Sequence, residues 1–321
     1  MQITPQLPTI SIIIPVFNRD TLLAMTIESI IEQTFTNWEC ILIDDQSTDD
    51  SFLVMKEFQA KDNRIQAYKR PREIKKGANA CRNFGFTKSS GAYIKWFDSD
   101  DIMLPNHLET AFHTLVDNSL DFVVTDTLNF NHNTNKLLSS PYNFDKKKVA
   151  ISAKNFALNQ IGWITDDFLG SRGLVEKIKF NENIITDGDE YNFFVRLLHH
   201  SINGFFIDEI LTHRRIHGDS LTGLNRKGTL TYYSKFTTLK FQTARDLIVY
   251  ENIELIRWFL SGYMRYSFKL ALLKKEVPNK NQAFKLICKY YSFSKGSAFM
   301  TALLLGRYCN KGYNIMKYAR K

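Results

Sequence analysis

The sequence predicts an α/β fold with a mostly parallel central sheet, followed by a helical extension. Three observations carry this. Apolar runs of strand length alternate with stretches of helical spacing through the first half of the chain. Two of those runs end in clustered carboxylates, at the carboxyl edge where parallel sheets bind ligands. Charge changes near residue 225: Arg226 to Lys321 holds 19 Lys and Arg against 4 Asp and Glu, net +15, and the first 225 residues carry net −6. The expected division is a ligand-binding α/β domain over 1–225 and a basic, aromatic-rich helical extension over 226–321.

Ile10 to Pro15 is a continuous apolar run, the signature of a strand buried on both faces. Thr21 to Gln33 places Leu22, Leu23, Ile27, Ile30 and Ile31 at helical spacing. Glu39 to Ile43 is the next strand and runs into Asp44-Asp45; Ser47-Thr48-Asp49 then caps a helix reaching Lys61. Arg64 to Tyr68 is a short strand. A basic loop follows (Lys69, Arg70, Arg72, Lys75, Lys76) and leads through Gly77 into a helix over Asn79 to Lys88. Tyr93 to Phe97 is a fourth strand, continuing straight into Asp98-Ser99-Asp100-Asp101. Pro105 opens a helix at its favoured first position, and Asp121 to Thr125 is a fifth strand. Residues 127–160 are polar and Asn-rich and read as loop. Asp187-Gly188-Asp189-Glu190 opens an amphipathic helix to His200, and a strand over Gly204 to Ile207 precedes the segment HRRIHGDS, His213 to Ser220. Beyond residue 225, Leu247, Leu255, Trp258, Phe259 and Tyr263 recur at helical spacing.

Composition excludes several classes. At 321 residues and 44% hydrophobic, the chain buries an ample core without disulfides. The four cysteines (Cys40, Cys81, Cys288, Cys309) are scattered with no CxxC pair, which fits a reducing compartment. No basic stretch precedes the first apolar run, so no secretory signal is expected, and no uninterrupted apolar run reaches the roughly 18 residues a membrane span needs. The basic tail carries no recognised nucleic-acid-binding motif, so no nucleic-acid partner is expected.

The carboxylates carry the chemistry. Asp98, Asp100 and Asp101 repel one another unless a cation neutralises them, and hard divalent cations take carboxylate and phosphate oxygens together. Asp44-Asp45 alone fits a turn equally well.

The segments SIIIPVFNR, SIIEQTF, ILIDDQSTDD, ANACRNFG and GAYIKWFDSDD, in this order, resemble the inverting glycosyltransferases of family 2, which have the Rossmann-like GT-A fold. The likeness is close over residues 10–110 and looser to 220. It implies that Pro15, Phe17 and Asn18 lie beside the donor nucleoside, that Asp45 reads the base with Asp44 next to it, and that Arg82 lies near the base and diphosphate. Asp98-Ser99-Asp100 matches the DxD motif: Asp98 and Ser99 face the donor nucleotide, Asp100 ligates Mn2+ or Mg2+ directly, and Asp98 binds ribose or a water on the metal.

The family takes its base from a Glu-Asp pair at a helix start, with an Arg six residues after the Asp. Counting back from Arg196 places Glu190 at the base position and Asp189 before it, so the two acids are swapped and Asp189 stays an alternative. His217 matches a metal ligand or phosphate contact, Arg214 or Arg215 a phosphate-neutralising residue, and Trp163 either an acceptor-side aromatic or core. The implied partners are a nucleotide-sugar donor, UDP-linked by preference, and a saccharide or lipid-linked saccharide acceptor in polysaccharide synthesis. The basic tail fits peripheral contact with an anionic membrane, which places the chain in the cytoplasm or on the inner face of the cytoplasmic membrane. A sugar-1-phosphate nucleotidyltransferase would need a Gly-rich loop after the first strand, and residues 16–24 contain no glycine. A binding protein of the same fold that has lost catalysis draws support from the swapped acids alone.

Overall fold

The computed structural model describes residues 8–185, 188–217 and 229–321, without the Asp189 side chain. Expectations placed on Asp187, on Gly218 to Ser220 and on a boundary near 225 lie outside the described residues. Two compact units divide the rest: the first runs to Glu182 and resumes over Phe193–His217, and the second takes Asn183–Asn192 and the C-terminal helices.

The first unit is built on one eight-stranded, mostly parallel sheet: β1 Ile10–Val16, β2 Trp38–Asp44, β3 Ile65–Lys69, β4 Tyr93–Trp96, β5 Ile102–Met103, β6 Phe122–Asn131, β7 Phe168–Ser171 and β8 Gly204–Ile216. Their order is β3-β2-β1-β4-β7-β6-β8-β5. β1 pairs in parallel with β2 on one side and β4 on the other. The chain therefore reverses its direction of travel across the sheet at β1, and a crevice opens beyond the carboxyl ends of β1 and β4. Their sequences explain why these strands lie at the centre: Ile10, Ile12, Ile13, Ile14, Ile41, Leu42 and Ile43 are fully buried between layers of helix. α1 (Leu23–Ile31), α2 (Ser51–Lys61), α3 (Ala78–Lys88) and α4 (His107–Asp117) supply those layers. Gly85 on α3 lies so close to Ile13 and Ile43 that a side chain there would displace the helix from the sheet.

β7 runs antiparallel to both β4 and β6, so its first residues arrive at the carboxyl end of β4. Several predicted elements differ. β6 continues to Asn131 and β8 to Ile216, because Thr127 to Asn131 pair in register with Thr212 to Ile216 and satisfy backbone groups that polar side chains had marked as loop. Helix α4 starts at His107 instead of Pro105; Pro105 lies in a turn closed by the His107 amide on the Leu104 carbonyl at 3.0 Å.

The second unit is helical, as expected. Its helices are Leu230–Asp246, Ile253–Leu272, Lys280–Tyr290, Phe293–Cys309 and Tyr313–Arg320. Thr229, Asn252 and Ser292 each cap a helix by accepting an amide from the first turn. Leu255, Ile256, Phe259, Leu260, Tyr263 and Met264 on the Ile253–Leu272 helix form its buried stripe. No described helix is long and apolar enough to cross a membrane.

Candidate active site

The residues after β1 and β2 form the first wall of the crevice. Asp45 donates its amide to the Val16 carbonyl at 2.7 Å, so the parallel ladder extends one residue past β2. Asn18 sits at φ 50, which Asn tolerates better than bulkier residues, and it ties the two loops together. Its amide donates to Ser47 Oγ at 3.0 Å, and its Oδ1 accepts the Thr48 amide at 2.9 Å. Phe17 is exposed at the mouth with the Lys76 ammonium 3.7 Å from its ring centroid. Asp44 is buried and accepts the Ser47 amide at 3.1 Å, a turn contact. Asp45 is buried too; it pairs with Arg70 of the basic loop and accepts the Gly77 amide at 2.9 Å. Pro15 lies on β1 opposite Ile43.

The second wall is the turn after β4. Asp98 points partly to solvent and accepts from Arg82 Nη2 at 3.0 Å, while Arg82 itself is buried on α3. Ser99 is buried beside it. Asp100 Oδ2 accepts from Arg19 Nε at 2.9 Å and lies 3.0 Å from His217 Nε2. Burial works to raise the Asp100 pKa, but the His217 hydrogen bond and the Arg19 charge outweigh it and hold the carboxyl below the usual range. The structure thus brings together Asp100 and His217, which are separated by more than a hundred residues in the chain, because β8 delivers His217 directly after its last pair.

Behind this turn lies a buried acid layer. Asp166, in the turn before β7, accepts the Asp98 amide at 3.0 Å through Oδ1. Its Oδ2 is buried without a hydrogen-bond partner. Asp101 Oδ1 accepts the Arg215 amide at 2.7 Å. Burial first, then neighbouring carboxylates, push both acids well above the usual range: Asp98 and Asp101 act on Asp166, Asp100 and Asp98 on Asp101. Beside them Lys95, fully buried on β4, donates to the Asp166 carbonyl, and burial lowers its pKa to about 8. Asp167 takes hydrogen bonds from Thr127 at 2.6 Å and from Tyr142, and burial still raises it to about 6.

Two acid groupings are therefore available to a cation. Asp98, Asp101 and Asp166 offer oxygens within 4.8 Å of one another. Asp101 and Asp166 have almost no accessible surface, which removes them from contact with a phosphate arriving from the crevice. Asp100 and His217 suit a bridging ion better. Two ligands about 2.1 Å from a cation and at right angles to it stand about 3.0 Å apart, and one oxygen with one imidazole nitrogen is a donor set that Mn2+ accepts. The Asp100–His217 pair fits a divalent metal, with Arg19 holding the carboxylate in place, whereas Asp98 groups with Asp101 and Asp166.

The remaining predicted residues are placed as follows. Arg215 is buried, with Nε on the Asp100 carbonyl at 2.7 Å and Nη1 3.1 Å from His132 Nδ1, so it shapes the metal-side turn from behind. Arg214 lies half-buried beside it on β8. Trp163 packs in the core, with ring centroids 4.6 Å from Phe156 and 5.4 Å from Phe194. Glu190 is half-buried in the first turn of the helix Asp189–Leu197, in the part of that helix that belongs to the second unit. Asn192, two residues further, donates to Thr243 Oγ1 at 3.2 Å and Asp246 Oδ2 at 3.1 Å. Reasoning from sequence missed Asp166, Arg19 and Arg70 as members of the site; Arg19 and Arg70 stood in the quoted motif and the basic loop without a readable partner.

Residues 11–168 match the family Glycosyl transferase family 2. This stretch, about half of the chain, is a glycosyltransferase family 2 domain. Over 302 residues it is 26% identical to the GalNAc(5)-diNAcBac-PP-undecaprenol beta-1,3-glucosyltransferase of Campylobacter jejuni, covering 93% of each chain. Against several other curated relatives it spans less than two thirds of their length. Its fold resembles that of S. aureus TarS 1-349 in complex with UDP-GlcNAc, at TM-score 0.65 and 13% identity over 97% of this chain and 91% of that one. It also resembles the mannosyltransferase PcManGT from Pyrobaculum calidifontis in complex with GDP-Man and Mn2+, at TM-score 0.52 and 14% identity over 96% and 89%. These likenesses identify the fold as GT-A.

Proposed function

We propose that this chain moves a sugar, with inversion, from a UDP-sugar to a hydroxyl of a lipid-linked saccharide at the inner membrane surface. The observation that carries the reading is the Asp100–His217 pair, 3.0 Å apart, beyond the carboxyl ends of the strands where the sheet changes direction. Mn2+ or Mg2+ would supply Lewis-acid stabilisation of charge on the departing nucleotide diphosphate. Asp100 and His217 would hold it, Asp98 would face ribose or a metal-bound water, and Phe17 and Asn18 would border the nucleoside. Asp45 would read the base after exchanging part of its contact with Arg70. Arg82 would balance diphosphate charge. Support for UDP comes from TarS and for a lipid-diphosphate acceptor from the Campylobacter relative.

Inversion needs a base that takes the acceptor proton as oxygen attacks, and Glu190 has that role, with Asp189 the rival. Glu190→Gln should lower kcat by about 100-fold to 10,000-fold, the range for losing a general base, with UDP affinity nearly unchanged. Full transfer by Glu190→Gln alongside a dead Asp189→Asn would move the role to Asp189. Wild-type protein that binds UDP-sugars but turns none over, with any acceptor or with water, would return the reading to a binding protein.

A further inference from the structure

The C-terminal helices enclose a groove of about 870 Å3 that the transfer chemistry does not use. Two glycines make it possible. Gly306 lets the Phe293–Cys309 helix approach Phe268 closely, and Gly312, at φ 104, turns the chain back against Ala302 into the last helix. Phe268, Leu272 and Leu305 line the groove with hydrocarbon. Arg265, Lys269, Lys317 and Arg320 line it with positive charge, and no Asp or Glu is among the lining residues. Arg320 is fixed there by Nε bonds to Ser261 O at 3.0 Å and Oγ at 3.2 Å. Burial, and then the nearby charge of Arg265, lower its pKa, as expected where cations crowd together. On the same helices Leu304 and Tyr308 share one exposed face, and Tyr313, which lines the groove, is exposed at the start of the last helix. Tyrosines with an apolar body and a polar tip suit the boundary between headgroups and hydrocarbon.

We propose that this groove takes the phosphate headgroup of an anionic phospholipid in a bilayer, with the lipid's hydrocarbon against its apolar lining, and so docks the chain on the membrane. This rests on the reading that the basic tail meets an anionic membrane and gives that contact a site. The charge complementarity calls for an anion, and the lining calls for one that carries hydrocarbon. A nucleic acid would satisfy the cations alone.

The test is cosedimentation of the full chain with vesicles of phosphatidylcholine, with and without phosphatidylglycerol, near physiological salt. The double variant Arg265→Glu/Lys269→Glu is compared with Lys285→Glu/Lys289→Glu, which makes the same charge change on exposed positions of a helix that does not line the groove. Wild type should bind only the phosphatidylglycerol vesicles. The groove variant should bind at least about tenfold less, from two reversed charges near an anionic surface, and the control variant far less reduced. Equal losses in both variants would overturn the site, as would release of the protein by millimolar inorganic phosphate, which would mark a site for soluble anions. Circular dichroism verifies folding of each variant. Transfer to a soluble acceptor, unchanged in both, keeps failure of docking distinct from failure of the transferase reading.

Discussion

Asp166 shows how a residue outside the motif sets the motif's geometry. Its Oδ1 accepts the amide of Asp98, and its Oδ2 lies buried among like charges. Asp166→Asn keeps the acceptor and removes the acid, so stability should change by less than about 1 kcal/mol. Asp166→Ala leaves the Asp98 amide without its acceptor and should cost about 1–3 kcal/mol, read as a shift of the urea midpoint. If both variants lost the same stability, the amide contact would have no part in it. Asp98 and Asp100 were legible in the sequence because clustered carboxylates after an apolar run leave few structural explanations. Asp166 was not, because only the antiparallel pairing of β4 with β7 carries it across the 68 residues that separate it from Asp98.

Among elements, the helix Leu230–Asp246 contains the least expected burial. Lys240 is almost inaccessible, with its ammonium 4.0 Å from the Trp258 ring, 4.8 Å from Phe259 and 5.1 Å from Tyr191. Burial lowers its pKa to about 7, and no carboxylate contributes to that shift. Aromatic faces offset part of the desolvation. Between about pH 7 and the ordinary lysine value near 10.5, the unfolded chain binds this proton and the folded chain does not, so stability contributed by this group rises with pH. Lys240→Met should be more stable than wild type at pH 7, on the order of 2–4 kcal/mol, and the gap should narrow as pH approaches 10. Urea unfolding of both proteins across that range checks it; a gap independent of pH would show that Lys240 does not lose its proton on folding. The strands β1 and β2 were legible because burial on both faces writes continuous apolar runs. The ends of β6 and β8 were not, because Thr127, Asn129 and Asn131 open an Asn-rich stretch and His213, Arg214 and Arg215 are polar, and the two segments hold each other in strand form.

For the whole molecule, the order of motifs identified the GT-A fold, since three of them fall where β1, β2 and β4 meet their loops and the other two lie at the end of α1 and on α3. What acceptor the chain uses was not legible, because acceptor contacts follow no spacing rule comparable to the DxD motif. The central claim is that the acids beyond β4 hold a divalent cation that in turn holds a nucleotide diphosphate. Calorimetric titration of UDP into wild type and Asp100→Asn, each with Mn2+ and with chelator, tests it most directly. Mn2+ should tighten UDP binding to wild type by about tenfold or more, and Asp100→Asn should lose most of that gain. Equal UDP affinity in Mn2+ and in chelator, or a full Mn2+ effect in Asp100→Asn, would contradict it.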